Sequence, residues 1–288
     1  MAQLLFLMAG GAIAGVFGAL LGLGGGILIV PLLTLGFGLP LRESIGTSLV
    51  CVIVTSSAAA SVYLRRDVAN LRLGMTLELF TATAAMAGGL IAFVLPDRVL
   101  AVMFAALLLA VAATMADGLR RAPLLEPATP DRAPPGSSPE PARPDPAATT
   151  PSGHDSFLES LSGPGYRVRN MGLGLAGSLL AGLVSALFGV GGGIVKVPVM
   201  NLVMGVPLRV STATSNLMIG VTASSGALVY LYRGGIDPLV TAPAALGVFV
   251  GASVASRLSH RVDARVLRIL FVVVLLFTAI QMASKGLS

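Results

Sequence analysis

The chain has 288 residues, of which 55% are hydrophobic and 11% charged, with a mean hydropathy of +0.89. Soluble domains carry about 25% charged residues, so the composition excludes an ordinary soluble globular protein and points to membrane helices. The net charge of +6 comes without any basic run interleaved with aromatics, which argues against a nucleic-acid partner.

Taken in order, apolar segments fall at about 4–22, 26–38, 43–64, 73–95 and 98–117. The first lacks a basic region before it and reads as a retained span rather than a cleaved signal. Residues 118–168 are polar and rich in proline, including Pro127, Pro130, Pro134, Pro135 and Pro139. Such a stretch buries too little apolar surface to offset its ordering entropy, so a disordered linker is expected. A regulatory or docking segment is the alternative. A second set of apolar segments follows at about 169–190, 193–206, 209–231, 239–258 and 265–284. The expected organisation is therefore a first transmembrane repeat over 1–117, a cytoplasmic linker over 118–168 and a second repeat over 169–288. The fold class is an all-α, multi-pass protein of the inner or plasma membrane. Segments 26–38 and 193–206 are too short to cross ~30 Å of hydrocarbon as straight helices, so each is either a half-helix or a re-entrant piece.

The two halves are copies. Residues 15–48 and 182–215, offset by 167, are identical at 18 of 34 positions. The repeat centres on Gly22-Leu23-Gly24-Gly25-Gly26 and Gly189-Val190-Gly191-Gly192-Gly193. Clustered glycines weaken a helix. In lipid, broken backbone persists only where protein or a wet cavity satisfies its polar groups. Matched breaks in two halves of a hydrophobic chain point to a transporter's binding site. Arginine clusters at 65–72 and 257–268, which are not equivalent loops, put an odd number of crossings in each half and predict inverted halves. Parallel halves with four crossings each are the alternative.

Lys196 lies three residues beyond the second glycine cluster. A lysine at membrane depth costs about 2.5–3.5 kcal/mol on insertion scales and faces a cavity or a partner. Near a helix start, where free N–H groups already favour an anion, it makes an anion site. The alternative is a lysine that snorkels to the interface or pairs with a carboxylate. Ser44, Thr47, Ser48 and Thr55 share one helix face, and Ser211, Thr214, Ser215 and Thr222 repeat them. These hydroxyls either donate to an oxyanion or bond helix to helix. Thr47, Ser48, Thr214 and Ser215 are the better substrate candidates because they are nearer the breaks. Asn201 and Asn216 are amide candidates. Arg42 and Arg209 read as interfacial anchors, and Glu78 as an end-of-span residue rather than a proton-coupling carboxylate.

No enzyme reading survives. Neither glycine cluster continues into the Gly-Lys-Ser/Thr of a phosphate loop. The two histidines, His154 and His260, fall outside the spans, and the one cysteine, Cys51, lies within one. No cofactor and no metal site are expected.

The paired glycine motifs, the Lys196-Val197-Pro198 step and the run Thr212-Ala213-Thr214-Ser215-Asn216 resemble the sulfite exporter TauE/SafE family. The likeness covers about 4–117 and 169–284. It implies a permease that exports sulfite, organosulfonates or related sulfur-containing anions, with H+ or Na+ as the coupling ion if there is one. It carries Gly24, Gly25, Gly26, Gly191, Gly192, Gly193, Lys196, Thr214, Ser215 and Asn216 over as substrate-binding candidates, beside Thr47 and Ser48 from the hydroxyl stripe. The first half has Ile29 and Leu49 where the second has Lys196 and Asn216, so the site should be asymmetric. An anion channel, or a membrane scaffold or sensor acting through the linker, are the competing functions. The long linker departs from the family's pattern.

Overall fold

A chain this apolar satisfies its backbone internally, and every long element of the computed structural model is a helix. The structure describes residues 2–21, 25–64, 69–121, 162, 166–258 and 264–287. The first half contains α1 (Ala2–Leu21), α2 (Gly26–Pro31), α3 (Leu41–Leu64), α4 (Leu71–Val94) and α5 (Asp97–Arg121). The second contains α6 (Met171–Phe188), α7 (Gly193–Pro198), α8 (Leu208–Tyr232), α9 (Pro238–Leu258) and α10 (Ala264–Leu287). From the second element onward, each helix of the second half starts 167 residues after its counterpart: 26 and 193, 41 and 208, 71 and 238, 97 and 264.

The short helices end alike. Pro31 and Pro198 close α2 and α7, and the chain continues as π-helical turns, Leu32–Gly36 and Val199–Val203. Proline offers no N–H and its ring displaces the carbonyl one turn back, which the wider π turn accommodates.

Among the described residues, six helices (α1, α4, α5, α6, α9 and α10) are long and apolar enough to cross a membrane. The protein is a multi-pass membrane protein. The more polar α3 and α8, at 24 and 25 residues, reach ~36 Å at 1.5 Å per residue and pack on each other. The remaining pairings exchange partners between halves: α1 packs on α9, α4 on α6, and α5 on α10.

The glycines show how closely and in which direction. A Cβ on Gly11 would stand 2.5 Å from the Ala244 carbonyl oxygen, and Gly15, Gly247 and Gly251 meet the carbonyls of Val248, Met8 and Ala12. The numbers rise together, so α1 and α9 run parallel, with small residues four apart on both helices. By contrast α3 and α8 are antiparallel. Ser56 donates to the Asn216 carbonyl at 2.7 Å and lies against Gly220, while Leu49 lies against Gly226. Likewise the end of α10, at Gly286, meets the start of α5 at Arg98 and Val102.

The proline-rich segment falls almost wholly outside the described residues. Its last residues are anchored. The Tyr166 hydroxyl accepts from Asn70 Nδ2 at 2.8 Å, and just beyond the segment the Arg169 N–H donates to the Met204 carbonyl at 3.0 Å.

Candidate functional site

The two breaks meet inside the molecule. Gly25 and Gly192 cap α2 and α7 with φ of 74° and 71°, a left-handed conformation that costs an L-residue roughly 1–2 kcal/mol. Gly26 has no side chain, and the Gly189 carbonyl of the other half occupies the space a Cβ would need. Ser48 Oγ lies 3.0 Å from the Gly26 carbonyl and 2.7 Å from that of Gly189, so one hydroxyl holds both breaks, donating to one carbonyl at a time. Gly191 packs on Val52 of α3 and Ile219 of α8. Gly24, with Gly22 and Leu23, lies outside the described residues.

The hydroxyls separate into two sets. Thr47 bonds Thr241 at 2.9 Å, and Thr214 accepts from the Asn70 N–H at 3.0 Å. Ser44 donates to the Pro40 carbonyl and Ser211 to that of Val206, while Thr55 bonds back to its own helix. Asn201 donates to the Val206 carbonyl at 2.9 Å. These groups fasten helices and turns. Ser215, the repeat partner of Ser48, is 1% exposed and its hydroxyl has no partner among the described residues; the same holds for the buried Ser185 hydroxyl. Both border the second break: Ser215 Oγ is 3.5 Å from a Cβ built on Gly193, and the Ser185 Cβ 3.3 Å from one built on Gly192. Asn216, also buried, follows Ser215 on α8.

Lys196 does not reach an interface. It is 1% exposed, and its Nζ donates to Glu78 Oε2 at 2.7 Å and to Thr222 Oγ1 at 2.8 Å. Thr222 Oγ1 lies 2.7 Å from Glu78 Oε1 and closes a ring of three side chains from α4, α7 and α8. This corrects the reading of Glu78 as an end-of-span residue. It lies two turns inside α4 and is buried against α7 and α8, because the charge that makes its burial tolerable comes from a residue 118 positions away. Arg42 donates to the Ala92 and Leu95 carbonyls and pairs with Asp97 at 3.2 Å, tying the start of α3 to the α4–α5 turn. The Arg209 side chain lies outside the described residues.

Ser185 was missed and Glu78 was assigned to the span's end, yet the repeat carried a signal for both. At an offset of 167, Ser185 falls on Gly18, Lys196 on Ile29, Asn216 on Leu49 and Glu78 on Ala245. Each polar residue replaces a glycine or an apolar residue of the other half, and all four lie on elements that gather around the second break. Two apolar cavities of about 510 and 520 Å³ lie elsewhere. One lies among α1, α2 and α10 around Phe17, Leu28 and Phe277, the other among α3, α8 and α9 around Ile53, Leu228 and Ala245.

The family model for the sulfite exporter TauE/SafE matches residues 7–282. The chain is 22% identical over 284 residues, 96% of each chain, to the probable membrane transporter protein YunE of Bacillus subtilis. It is also 32% identical over 109 residues, 38% of this chain and 41% of the other, to the probable membrane transporter protein ORF9 of a Sinorhizobium species. No solved structure matches.

Proposed function

We propose that this chain, a membrane transporter that belongs to the sulfite exporter TauE/SafE family, moves a small sulfur-containing oxyanion by alternating access, with export as its working direction. The observation that carries the reading is the contact of the two glycine breaks at a buried centre, where, among the described residues, the unpartnered Ser185 and Ser215 hydroxyls border the second break. The first N–H groups of a helix have no partner within it. Together with the Ser185 and Ser215 hydroxyls and the Asn216 amide, those of α7 supply donors that suit an oxyanion, and the nearby Glu78 carboxylate is engaged by Lys196 and Thr222. Lys196 stands within the same short helix as the source of positive charge. The family's description supports sulfite, and by chemical likeness sulfonates, as the cargo.

The halves are read as inverted copies that rock about this centre. Antiparallel packing of the equivalent pairs α3 with α8 and α5 with α10 supports this, because parallel copies would align each pair. A rocking motion would alternately open the breaks to either side.

Counterflow into proteoliposomes tests the reading, with sulfite, methanesulfonate, thiosulfate and chloride as probes. Saturable uptake of one sulfur oxyanion, accelerated by the same anion trapped inside, is expected. Ser215→Ala should raise its half-saturation concentration about tenfold, the equivalent of ~1.4 kcal/mol. Current without counterflow would identify a channel, and no movement of any probe by folded protein would overturn the proposal.

A further inference from the structure

We infer that Glu78 binds a proton that travels with the anion, so that a monovalent oxyanion such as hydrogen sulfite or a sulfonate crosses together with one H+, outward whenever the anion's own gradient exceeds the inward proton gradient. The inference rests on the transporter reading above and begins from the ion pair's place in the repeat. The corner where α4, α7 and α8 meet is built twice. In the other half the residues at the positions of Lys196, Glu78 and Thr222 are Ile29, Ala245 and Thr55. Ile29 is fully buried there and Thr55 bonds its own helix. The fold therefore builds this corner without charge. A buried ion pair is in general no more stabilising than apolar residues of similar volume, and ionisable groups at membrane depth mark transport pathways and proton relays. Packing does not explain why this corner alone is charged.

Charge conservation at the site explains it. In the structure the Lys196 ammonium is bound by the Glu78 carboxylate and the Thr222 hydroxyl, and the site is neutral. An anion that engages the ammonium in this state leaves a net negative charge in a low-dielectric interior, which is costly. If Glu78 first takes up a proton, an O–H bond forms on the carboxylate, its charge-assisted bond to Lys196 weakens, and the ammonium turns to the anion. Carboxylic acid, ammonium and monovalent anion again sum to zero. Two neutral states exist, empty with the pair closed and loaded with one anion and one proton, and each passes through the alternating step without moving net charge. Of the two partners Glu78 is the more open, its side chain 10% exposed against 1% for Lys196.

Glu78 is also alone in this role. Among the elements packed around it, α6 carries no ionisable residue, α7 carries only Lys196, and α4 otherwise only Arg72, in its exposed first turn. On α8 the ionisable residues are Arg209 in the first turn and Tyr230 and Tyr232 in the last. Glu78 is the only carboxylate on these four helices.

The test uses full-length protein in liposomes holding a pH-sensitive dye, with methanesulfonate and sulfite as probes. Wild type should acidify the lumen by one proton per methanesulfonate taken up, at a rate unchanged when the membrane potential is clamped. Glu78→Gln should exchange methanesulfonate across the membrane but lose at least tenfold of the acceleration that an inward proton gradient gives wild type. Comparing the two variants with sulfite removes the probe's own buffering. Since Glu78→Gln leaves Lys196 without a counter-charge, the double variant Glu78→Ala/Lys196→Ile, which copies Ala245 and Ile29, serves as the folded control and should move neither probe. Uptake by wild type without lumenal acidification, or equal proton movement by Glu78→Gln, overturns the coupling and leaves the transporter reading standing. No movement of either probe or of any counterflow anion by wild type overturns both.

Discussion

At the scale of single residues, equivalent serines have acquired different tasks. Ser48 bridges the Gly26 and Gly189 carbonyls, whereas Ser215 is buried with no partner among the described residues. A net hydrogen bond is worth about 0.5–1.5 kcal/mol, and a buried orphan gives nothing back for its desolvation. Ser48→Ala should therefore lower stability by about 1 kcal/mol, while Ser215→Ala should leave it unchanged or slightly higher and act on anion affinity instead. Paired thermal melts and binding titrations in detergent separate the two, and equal melting losses would refute the division. The ion pair calls for the opposite logic. Removing one partner of a buried pair costs about 3–5 kcal/mol, because a charge is left uncompensated, whereas replacing both is often neutral. Lys196→Ile alone should unfold well below wild type, and Glu78→Ala/Lys196→Ile should recover most of the loss. A double variant no more stable than Lys196→Ile would show that the charges do support the fold.

At the scale of elements, glycine acts both as breaker and as spacer. Gly11, Gly15, Gly247 and Gly251 let the α1 and α9 backbones touch, each within reach of a carbonyl of the other helix. Overpacking such a contact costs about 1–3 kcal/mol. Gly251→Leu should lower the folded yield and melting temperature sharply, while Gly172→Leu, at an open position of α6, should not; yields from size-exclusion chromatography compare them directly. These spacers were not singled out in the sequence, because a glycine facing lipid and one facing a helix look alike until the pairing is known. What was legible follows from covalent pattern: the ten segments and the two breaks depend on residues close together in the chain, and the offset of 167 on matching one stretch of sequence to another. The ring of Glu78, Lys196 and Thr222 depends on three helices from both halves meeting. Sequence placed Lys196 at depth and left its partner open between lipid interface, carboxylate and anion. The structure supplies the carboxylate, and the reading of Glu78 failed because nothing nearby in the chain announces its counter-charge.

At the scale of the whole molecule, the packing sorts the helix ends into two sets. Arg42 at the start of α3 meets Leu95 and Asp97 between α4 and α5, and Gly235 between α8 and α9 packs on Phe93 at the end of α4. These connections share one side. Asn70 before α4 bonds Thr214 near the start of α8 and Tyr166 before α6, which places those connections on the other. The second side holds Arg72, Arg167 and Arg169, and the sequence adjoining it adds Arg65, Arg66, Arg120 and Arg121 against only Asp67 and Asp117. The first mixes Arg42, Arg98 and Arg233 with Glu43, Asp97 and Asp237. Cytoplasmic loops carry the lysine and arginine excess, so the α3–α4 turn and the linker should face the cytoplasm, and the α4–α5 and α8–α9 turns the outside. The expectation is testable in cells. In a Cys51→Ala background, a membrane-impermeant maleimide should label Pro96→Cys and Gly234→Cys in intact cells, and Ser152→Cys in the linker only after permeabilisation. The α3–α4 and α8–α9 turns are equivalent in the repeat, so their appearance on opposite sides is what an inverted pair of halves requires. Labelling of Gly234→Cys only after permeabilisation, together with Ser152→Cys, would leave the halves parallel, and the rocking motion proposed for transport would lose its symmetry.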